Sequence, residues 1–266
     1  MHHRHTVCAL LAALALCASR PALATAQEPD EIIYQGKKQQ LLSVPLWTYP
    51  VDKKRPLFKP EVGSTGCWRG YNALWEVKQG ALWLRGLYPC GGMAISPRPL
   101  PWHGPKLPLR ATWFSGSLRL PQGKLLRYVH VGHASIYERA LVLYVVRGKI
   151  VRRRLFDNRA DKRAKLGQRP SQDAVARSVR ALHKRARACL PRAKAKRARL
   201  PRQLSASLWI SRYGAPQSLI LPRGIVTEQR RRVLYDIIGC VHASATQSNF
   251  GAARYRYRVR LALSLY

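Results

Sequence analysis

Acidic residues are scarce in this chain of 266 residues, which carries 12 Asp and Glu against 48 Lys and Arg and has a formal net charge of +36. Hydrophobic residues still make up 47% of the chain. That share is enough for a packed core in one large domain or two small ones. The composition therefore argues against a chain that is disordered throughout.

Motifs that bind metals, phosphates or cofactors are also missing. No Cys-x-x-Cys pair or Cys/His cluster has zinc spacing, and the glycines form no phosphate-cradling loop. Ser115 lacks the strand–elbow–helix surroundings of a hydrolase nucleophile. We therefore expect no cofactor and no metal ion.

Long hydrophobic runs are absent, and the apolar run Val7–Ala18 is too short to cross a bilayer comfortably. It follows a cationic segment with Arg4 and precedes two A-x-A sites that end at Ala24 and Ala26. This arrangement predicts a signal peptide over residues 1–26, cleaved near Ala24 or Ala26. We expect a periplasmic or secreted protein with no transmembrane segment.

Four cysteines follow the predicted signal peptide. An even number in an oxidising compartment favours disulfides over a metal site, but four cysteines allow three pairings and the residues alone do not choose among them. They are Cys67, Cys90, Cys189 and Cys240.

Positive charge is concentrated in Arg147–Arg202, which holds 21 Lys and Arg against three Asp. In a cytosolic protein this segment would indicate nucleic acid binding. Behind a signal peptide the available polyanions are acidic polysaccharide and lipid headgroups, so we expect no nucleic acid partner. A solvated linker is the alternative, because charge runs are usually solvated.

Residues 27–158 are predicted to form an antiparallel, β-rich domain. The dipeptides Gln79-Gly80 and Arg147-Gly148 predict hairpin turns, and six of the seven tryptophans lie in this segment, which indicates an aromatic core. Short apolar segments bounded by turn residues predict strands at Glu31–Tyr34, Tyr71–Val77, Leu82–Leu84, Thr112–Leu120, Leu125–Val131 and Leu141–Val146.

Residues 159–170 are charged and end in proline, which predicts a basic linker. Residues 171–266 then alternate helical and strand patterns. Ser171 and Thr227 are predicted N-caps of two amphipathic helices. The strands predicted between these helices are Leu204–Ile210 and Ser218–Leu221. The chain as a whole is predicted to be α+β.

The last strand has the clearest pattern, because tyrosine, valine and leucine alternate with polar residues. One face is predicted to be buried. The other face carries four arginines, which we predict to bind an anionic partner: Arg254, Arg256, Arg258 and Arg260.

The order helix–strand–strand–helix–strand, with one cysteine near the end of each helix, resembles the C-terminal domain of the AgmX/PglI-type gliding-motility proteins, a relative of the TonB C-terminal fold. The resemblance covers residues 171–266 and implies a periplasmic interaction domain in which Cys189 pairs with Cys240. The segments that carry it are Val179–Cys189, Leu204–Gly214, Leu234–Val241 and Tyr255–Leu263.

Residues 31–157 more loosely resemble an uncharacterised bacterial family with a Cys-Trp-Arg-Gly-Tyr motif, here Cys67–Tyr71, before a Trp-Glu strand at Trp75 and Glu76. This resemblance implies no particular activity. Cys90 is the natural partner of Cys67 if this module has its own disulfide.

Glu76, His130 and Glu138 are weak candidates for catalysis. For Glu76 we expect a buried ion pair with Arg69 or Arg119, and a general acid tuned by burial is the alternative. His130 and His133 are three residues apart and would point to opposite faces of a strand, which disfavours a metal site with Glu138.

Two functions follow from these observations. The first is an exported, non-enzymatic cell-envelope protein that binds an envelope protein or an anionic polymer. The second is an enzyme that modifies envelope polysaccharide, with its site in the β-rich domain. Convergence of Glu76, His130 and Glu138 in one pocket would favour the enzyme, and their separation would favour the binding protein.

Overall fold

Two α-helices and eleven strands make up the regular structure of the described chain. The structure, a computed structural model, describes residues 25–49, 57–60, 64–94, 96–130, 132–159, 171–186, 200, 202–211, 216–221, 228–247, 250 and 257–264. The strands are β1 (Asp30–Tyr34), β2 (Lys37–Leu41), β3 (Asn72–Lys78), β4 (Ala81–Tyr88), β5 (Leu109–Arg110), β6 (Gly116–Arg127), β7 (Ile136–Val146), β8 (Lys149–Asp157), β9 (Gln203–Ile210), β10 (Pro216–Ile220) and β11 (Tyr257–Ser264). The helices are α1 (Gln172–Ala186) and α2 (Glu228–Thr246), and neither is long and apolar enough to cross a membrane.

All eleven strands belong to one sheet, in the order β11-β9-β10-β6-β7-β8-β4-β3-β1-β2, with β5 beside β4. The protein is therefore α+β and rich in strand. Its strand pairs are antiparallel except β1 and β3, which run parallel, so the expectation of a purely antiparallel first module is wrong for that pair. The long connection between β2 and β3 permits this arrangement, because parallel neighbours need a crossover rather than a hairpin.

Three hairpins turn on a dipeptide that ends in glycine. Gln79-Gly80 joins β3 to β4 and Arg147-Gly148 joins β7 to β8, as predicted, and Gln35-Gly36 joins β1 to β2. Both residues of each turn have positive φ, between 49° and 75°, which is the geometry of a type I′ turn. The first hairpin was not predicted because β2 has the sequence KKQQL and lacks an apolar alternation.

The strands from β6 to β2 in the sheet order curl until the two ends of this group meet. The amide of Leu42, just after β2, donates to the carbonyl of Arg119 in β6 at 2.8 Å. The amide of Arg119 in turn donates to Ser43 Oγ at 3.0 Å. The curled layer encloses an apolar core whose fully buried members include Trp75, Leu82, Leu84, Leu118, Leu120 and Leu143.

A second apolar core lies between the two helices and strands β9, β10 and β11. It shares no residue with the first core and includes Leu182, Leu208, Leu234, Ile237, Val241 and Leu261. The two parts meet where β10 pairs with β6 through Ser218 and Gly116, and where Arg147 Nη1 lies 2.9 Å from Asp236 Oδ1 in α2. The predicted linker lies almost wholly outside the described residues, so the domain boundaries stay a prediction.

The helix and strand patterns of residues 171–266 predicted several details of this second part. The Ser171 hydroxyl accepts a hydrogen bond from Ala174 N at 3.2 Å, which confirms the first N-cap; Thr227 lies outside the described residues. In β11, Val259, Leu261 and Leu263 are buried while Arg258 and Arg260 are exposed. The predicted binding residues Arg254 and Arg256 lie outside the described residues.

The prediction of two separate strands at Thr112–Leu120 and Leu125–Val131 is wrong. A single strand, β6, continues through Pro121 and Gly123 and pairs with β7 on both sides of them. The ladder shifts register between Gln122 and Leu125. This bulge absorbs the proline and the positive φ of Gly123, residues that otherwise indicate the end of a strand.

Replacing Gly148 with Ala should destabilise the protein more than replacing Gly36 with Ala. Both glycines have a φ of +75°, so each substitution places a side chain in a conformation that costs about 1 kcal/mol. Only at position 148 would the new Cβ lie 2.7 Å from the carbonyl oxygen of Ala111. Urea unfolding should show a loss of about 2 kcal/mol or more for Gly148→Ala, and equal losses for both variants would contradict this interpretation.

The stability of the second core should depend on pH through His242, which is fully buried in α2. Burial lowers the pKa of this imidazole to about 4, and the Pro216 backbone opposes only part of the shift. Because its pKa in the unfolded chain is about 6.5, the unfolded state binds a proton that the folded state excludes. Stability should therefore be complete above about pH 6.5 and fall by on the order of 3 kcal/mol as the pH drops towards 4.

Urea titrations between pH 7 and pH 4 can test this dependence. The variant His242→Leu should lose part of the pH slope of the unfolding free energy, while a variant of the exposed His103, His103→Gln, should keep the wild-type slope. A wild-type slope in His242→Leu would show that other groups cause the acid sensitivity.

Candidate functional site

The Cys-Trp-Arg-Gly-Tyr motif is anchored by a buried ion pair between Arg69 and Asp30. Arg69 Nη1 donates to Asp30 Oδ1 at 2.8 Å, and the two side chains are 2% and 0% exposed. The other carboxylate oxygen accepts a hydrogen bond from Trp75 Nε1 at 3.0 Å. Ala73 N also donates to Asp30 Oδ1, so the carboxylate at the start of β1 binds both the motif and β3.

The pKa shifts of Asp30 and Tyr71, which both interact with Arg69, agree with a structural role for these three residues. Burial raises the pKa of the Asp30 carboxyl, while the charge of Arg69 and the donated hydrogen bonds act in the opposite direction. Burial also raises the pKa of Tyr71, whose ring lies 5.1 Å from the guanidinium carbon of Arg69. The three groups are thus enclosed together, with the charge of each ion met by the other or by a hydrogen bond.

A disulfide between Cys67 and Cys90 closes the same region, with the two Cα atoms 6.0 Å apart. Glu28 braces the loop beyond it, because its Oε2 accepts hydrogen bonds from Asn72 Nδ2 at 2.9 Å and Gly91 N at 2.6 Å. Cys240 is also disulfide-bonded. Its expected partner, Cys189, lies outside the described residues.

The expected ion pair of Glu76 with Arg69 or Arg119 is wrong. Glu76 Oε2 lies 3.4 Å from Arg85 Nη1 on the neighbouring strand β4, and both side chains are partly exposed. The reason is strand alternation: Trp75 points into the core, so Glu76 points outward. The sequence predicted that Glu76 forms an ion pair with an arginine, but it did not predict which arginine.

The three weak catalytic candidates are held by separate parts of the first module. Glu76 lies on β3 and Glu138 on β7, with β4 and β8 between them in the sheet, so three strand spacings alone separate them by roughly 14 Å or more. Glu138 accepts a hydrogen bond from Lys124 N at 3.2 Å. His130 is exposed after β6, and its ring contacts that of Tyr128 with centroids 4.6 Å apart.

This arrangement does not bring the two carboxylates together as an acid–base pair. The described residues also contain no group of three or more His, Cys, Asp or Glu side chains placed to hold a metal ion. The enzyme hypothesis therefore gains no support from the positions of its candidate residues.

Two arginines of β8 form an exposed, positively charged surface, which we call the β8 arginine surface: Arg152 and Arg154. The guanidinium carbon of Arg152 lies 5.6 Å from the ring centroid of Tyr144. That of Arg154 lies 4.8 Å from the ring of Phe156. In the described part of the chain no carboxylate forms an ion pair with either arginine.

The β8 arginine surface is exposed because β8 extends beyond the region where it pairs with β4. β8 pairs with β7 over nearly its whole length but with β4 only at Lys149, opposite Ala81. Sequence reasoning placed these arginines in a basic stretch and did not recognise them as a strand. The usable signal was the hairpin turn Arg147-Gly148, which requires a strand on its far side.

Breaking the buried ion pair at one end should destabilise the protein strongly. Arg69→Met leaves the buried carboxylate of Asp30 without its counter-charge, and we expect a loss of about 3–5 kcal/mol in the free energy of unfolding. The double variant Asp30→Asn, Arg69→Met should recover part of that loss, because no buried charge remains. Urea unfolding of all variants provides the measurement.

The matched control is Glu76→Gln, which breaks the partly exposed pair with Arg85 and should cost no more than about 1 kcal/mol. If Arg69→Met were no more damaging than this control, the buried pair would not anchor the motif.

Comparisons with known proteins leave the chain without an identified relative. No family model matches it, and no curated protein and no solved structure is significantly similar to it. The resemblances noted from the sequence therefore stay predictions, and the function rests on the geometry and charge of the described residues.

Proposed function

We propose that this protein is an exported, non-enzymatic component of the cell envelope that binds an anionic polymer through the β8 arginine surface. The observation that carries the proposal is the support of Arg152 and Arg154 by aromatic rings rather than by carboxylates. A guanidinium placed over an aromatic ring keeps its full charge and most of its N–H donors. Such donors match the paired oxygens of carboxylate and phosphate groups.

The geometry of β8 places these two arginines on one face. Strand alternation puts Arg152 and Arg154 on the same side as each other, with Arg153 on the opposite side. Both lie near Tyr144, since their charges act on its phenol against the rise in pKa that burial causes. Arg152 also donates to the carbonyl of Thr246 at 3.3 Å, which ties the surface to the end of α2.

Other basic groups extend the positive field beyond β8. Helix α1 exposes Arg177, Arg180 and Lys184, and the edge strand β11 exposes Arg258 and Arg260. With a net charge of +36, such groups attract polyanions over a range set by the salt concentration. The surface on β8 differs from them because its two guanidinium groups are held against rings.

Export and the nature of the C-terminal module belong to the same proposal. The disulfide between Cys67 and Cys90 is compatible with an oxidising compartment. The element order α1-β9-β10-α2-β11 supports an AgmX/PglI-like, TonB-like interaction module. In this proposal the module docks the polymer-binding surface in the periplasm.

Removing the two guanidinium groups of the β8 arginine surface should weaken polymer binding. We expect Arg152→Gln, Arg154→Gln to lower the affinity for alginate, a carboxylated polysaccharide, by roughly tenfold or more, because each charge-assisted hydrogen bond contributes about 1.5–3 kcal/mol. The slope of log affinity against log salt concentration should also become shallower. Isothermal titration calorimetry at several salt concentrations measures both quantities.

The control is Arg177→Gln, Arg180→Gln, which removes the same charge from the exposed face of α1. It should change the affinity no more than about twofold through the general field. Equal losses in both variants would contradict a localised site for an anionic polymer.

A further inference from the structure

Two tryptophans form an exposed aromatic pair on the first module. Trp47 is 57% exposed and Trp68 is 51% exposed. Their rings contact each other edge to face, with centroids 4.9 Å apart and an interplanar angle of 73°. Both rings therefore keep much of their apolar area in water, although Trp75 and Trp113 of the same module are buried.

The backbone on both sides of Trp68 is fixed. Cys67 before it is fully buried in the disulfide with Cys90, and Arg69 after it is held in the ion pair with Asp30. The amide of Trp68 itself donates to Gln27 Oε1 at 3.3 Å. The chain therefore presents this indole from a rigid support, which lowers the entropy cost of binding a ligand.

Trp47 is presented in a similar way. It lies in the short 3₁₀ helix Pro45–Thr48, whose residues Pro45 and Leu46 are buried. The carbonyl of Pro45 accepts hydrogen bonds from Thr48 Oγ1 at 2.9 Å and from the core residue Trp113 at 3.4 Å. Two exposed indoles on two anchored turns indicate a binding platform rather than incomplete core packing.

The described polar side chain that binds the backbone of Trp68 is neutral. Gln27, which binds the backbone of Trp68, also donates through Nε2 to the carbonyl of Thr65 at 2.8 Å. Thr65 contributes a hydroxyl group beside this amide. Indole faces flanked by amides and hydroxyls match a sugar ring, which offers an apolar C–H face and a rim of hydroxyl groups.

The charge of the groups near the pair distinguishes a neutral sugar from an anionic ligand or an anionic membrane surface. A protein with a net charge of +36 has many cations to place beside a carboxylate or phosphate, yet among the described residues the backbone of Trp68 is held by the amide of Gln27, which also binds Thr65. An anionic membrane surface would likewise be met by basic groups around the apolar side chains. On a strongly basic protein, these neutral neighbours among the described residues favour a neutral ligand.

We propose that Trp47 and Trp68 form a binding site for the neutral pyranose rings of an envelope glycan, with Gln27 and Thr65 bonding to its hydroxyl groups. The site is separate from the β8 arginine surface and does not depend on polyanion binding. Its ligand class is a neutral hexose or N-acetylhexosamine chain.

Calorimetry of the full chain with chitotetraose and with cellotetraose tests this proposal. The titration should contain 0.5 M NaCl, because at this concentration the electrostatic attraction of polyanions is screened. At least one oligosaccharide should bind, and Trp68→Ala or Trp47→Ala should weaken that binding by roughly tenfold, as the loss of one stacked ring predicts. Trp68→Phe keeps an aromatic face and should retain most of the affinity, which guards against an effect of misfolding.

The matched control is Tyr128→Ala, which removes another aromatic side chain that is 49% exposed and contacts a neighbouring ring. It should leave oligosaccharide binding unchanged, as should Arg152→Gln, Arg154→Gln. Absence of binding to both oligosaccharides would overturn the proposal, as would an equal loss in Tyr128→Ala. Binding to phosphatidylcholine vesicles that requires the two tryptophans, without any binding to the oligosaccharides, would assign the pair to a membrane surface instead.

Discussion

The first module depends on one buried charge, the carboxylate of Asp30. It lies at the first residue of β1 and receives hydrogen bonds from the Cys-Trp-Arg-Gly-Tyr motif, from the backbone at the start of β3 and from the indole of Trp75. Because a buried carboxylate requires partners from every side, it places β1 beside β3 even though the two strands are far apart in sequence. The parallel pair, the position of the disulfide and the rigid backbone of Trp68 all follow from this constraint.

The small number of acidic residues also explains why the surface stays positively charged. The acidic side chains for which contacts are described are engaged within the fold: Glu28 with Asn72 and Gly91, Asp30 with Arg69, Glu31 with Lys38, Glu76 with Arg85, Glu138 with Lys124, Asp157 with Arg159 and Asp236 with Arg147. Few carboxylates are then left to neutralise the 48 Lys and Arg. On β8, aromatic rings take the place of carboxylates as supports for arginine, which preserves positive charge at the surface.

Two surfaces of different chemistry result. The β8 arginine surface is cationic and lies on a strand that extends beyond β4, where the second module approaches through α2 and Arg152. The pair of Trp47 and Trp68 is apolar with neutral polar neighbours and lies beside the disulfide of the first module. Charge attracts a polymer over a long range and without selectivity, whereas stacking acts only at contact and depends on the shape of the ligand.

Local patterns in the sequence determined the α+β class, two of the three hairpin turns, the N-cap of α1 and the two faces of β11, because period and turn chemistry act between residues close in the chain. Tertiary structure alone decided that Arg69 pairs with Asp30 and Glu76 with Arg85, and that β6 runs through Pro121 without a break. It also decided that β8 is open beyond Lys149 and that Trp47 and Trp68 face water while Trp75 and Trp113 lie in the core. These outcomes depend on which strands become neighbours, and spacing along the chain does not encode that choice because the free energy of a contact depends on burial and on partners that the fold brings together.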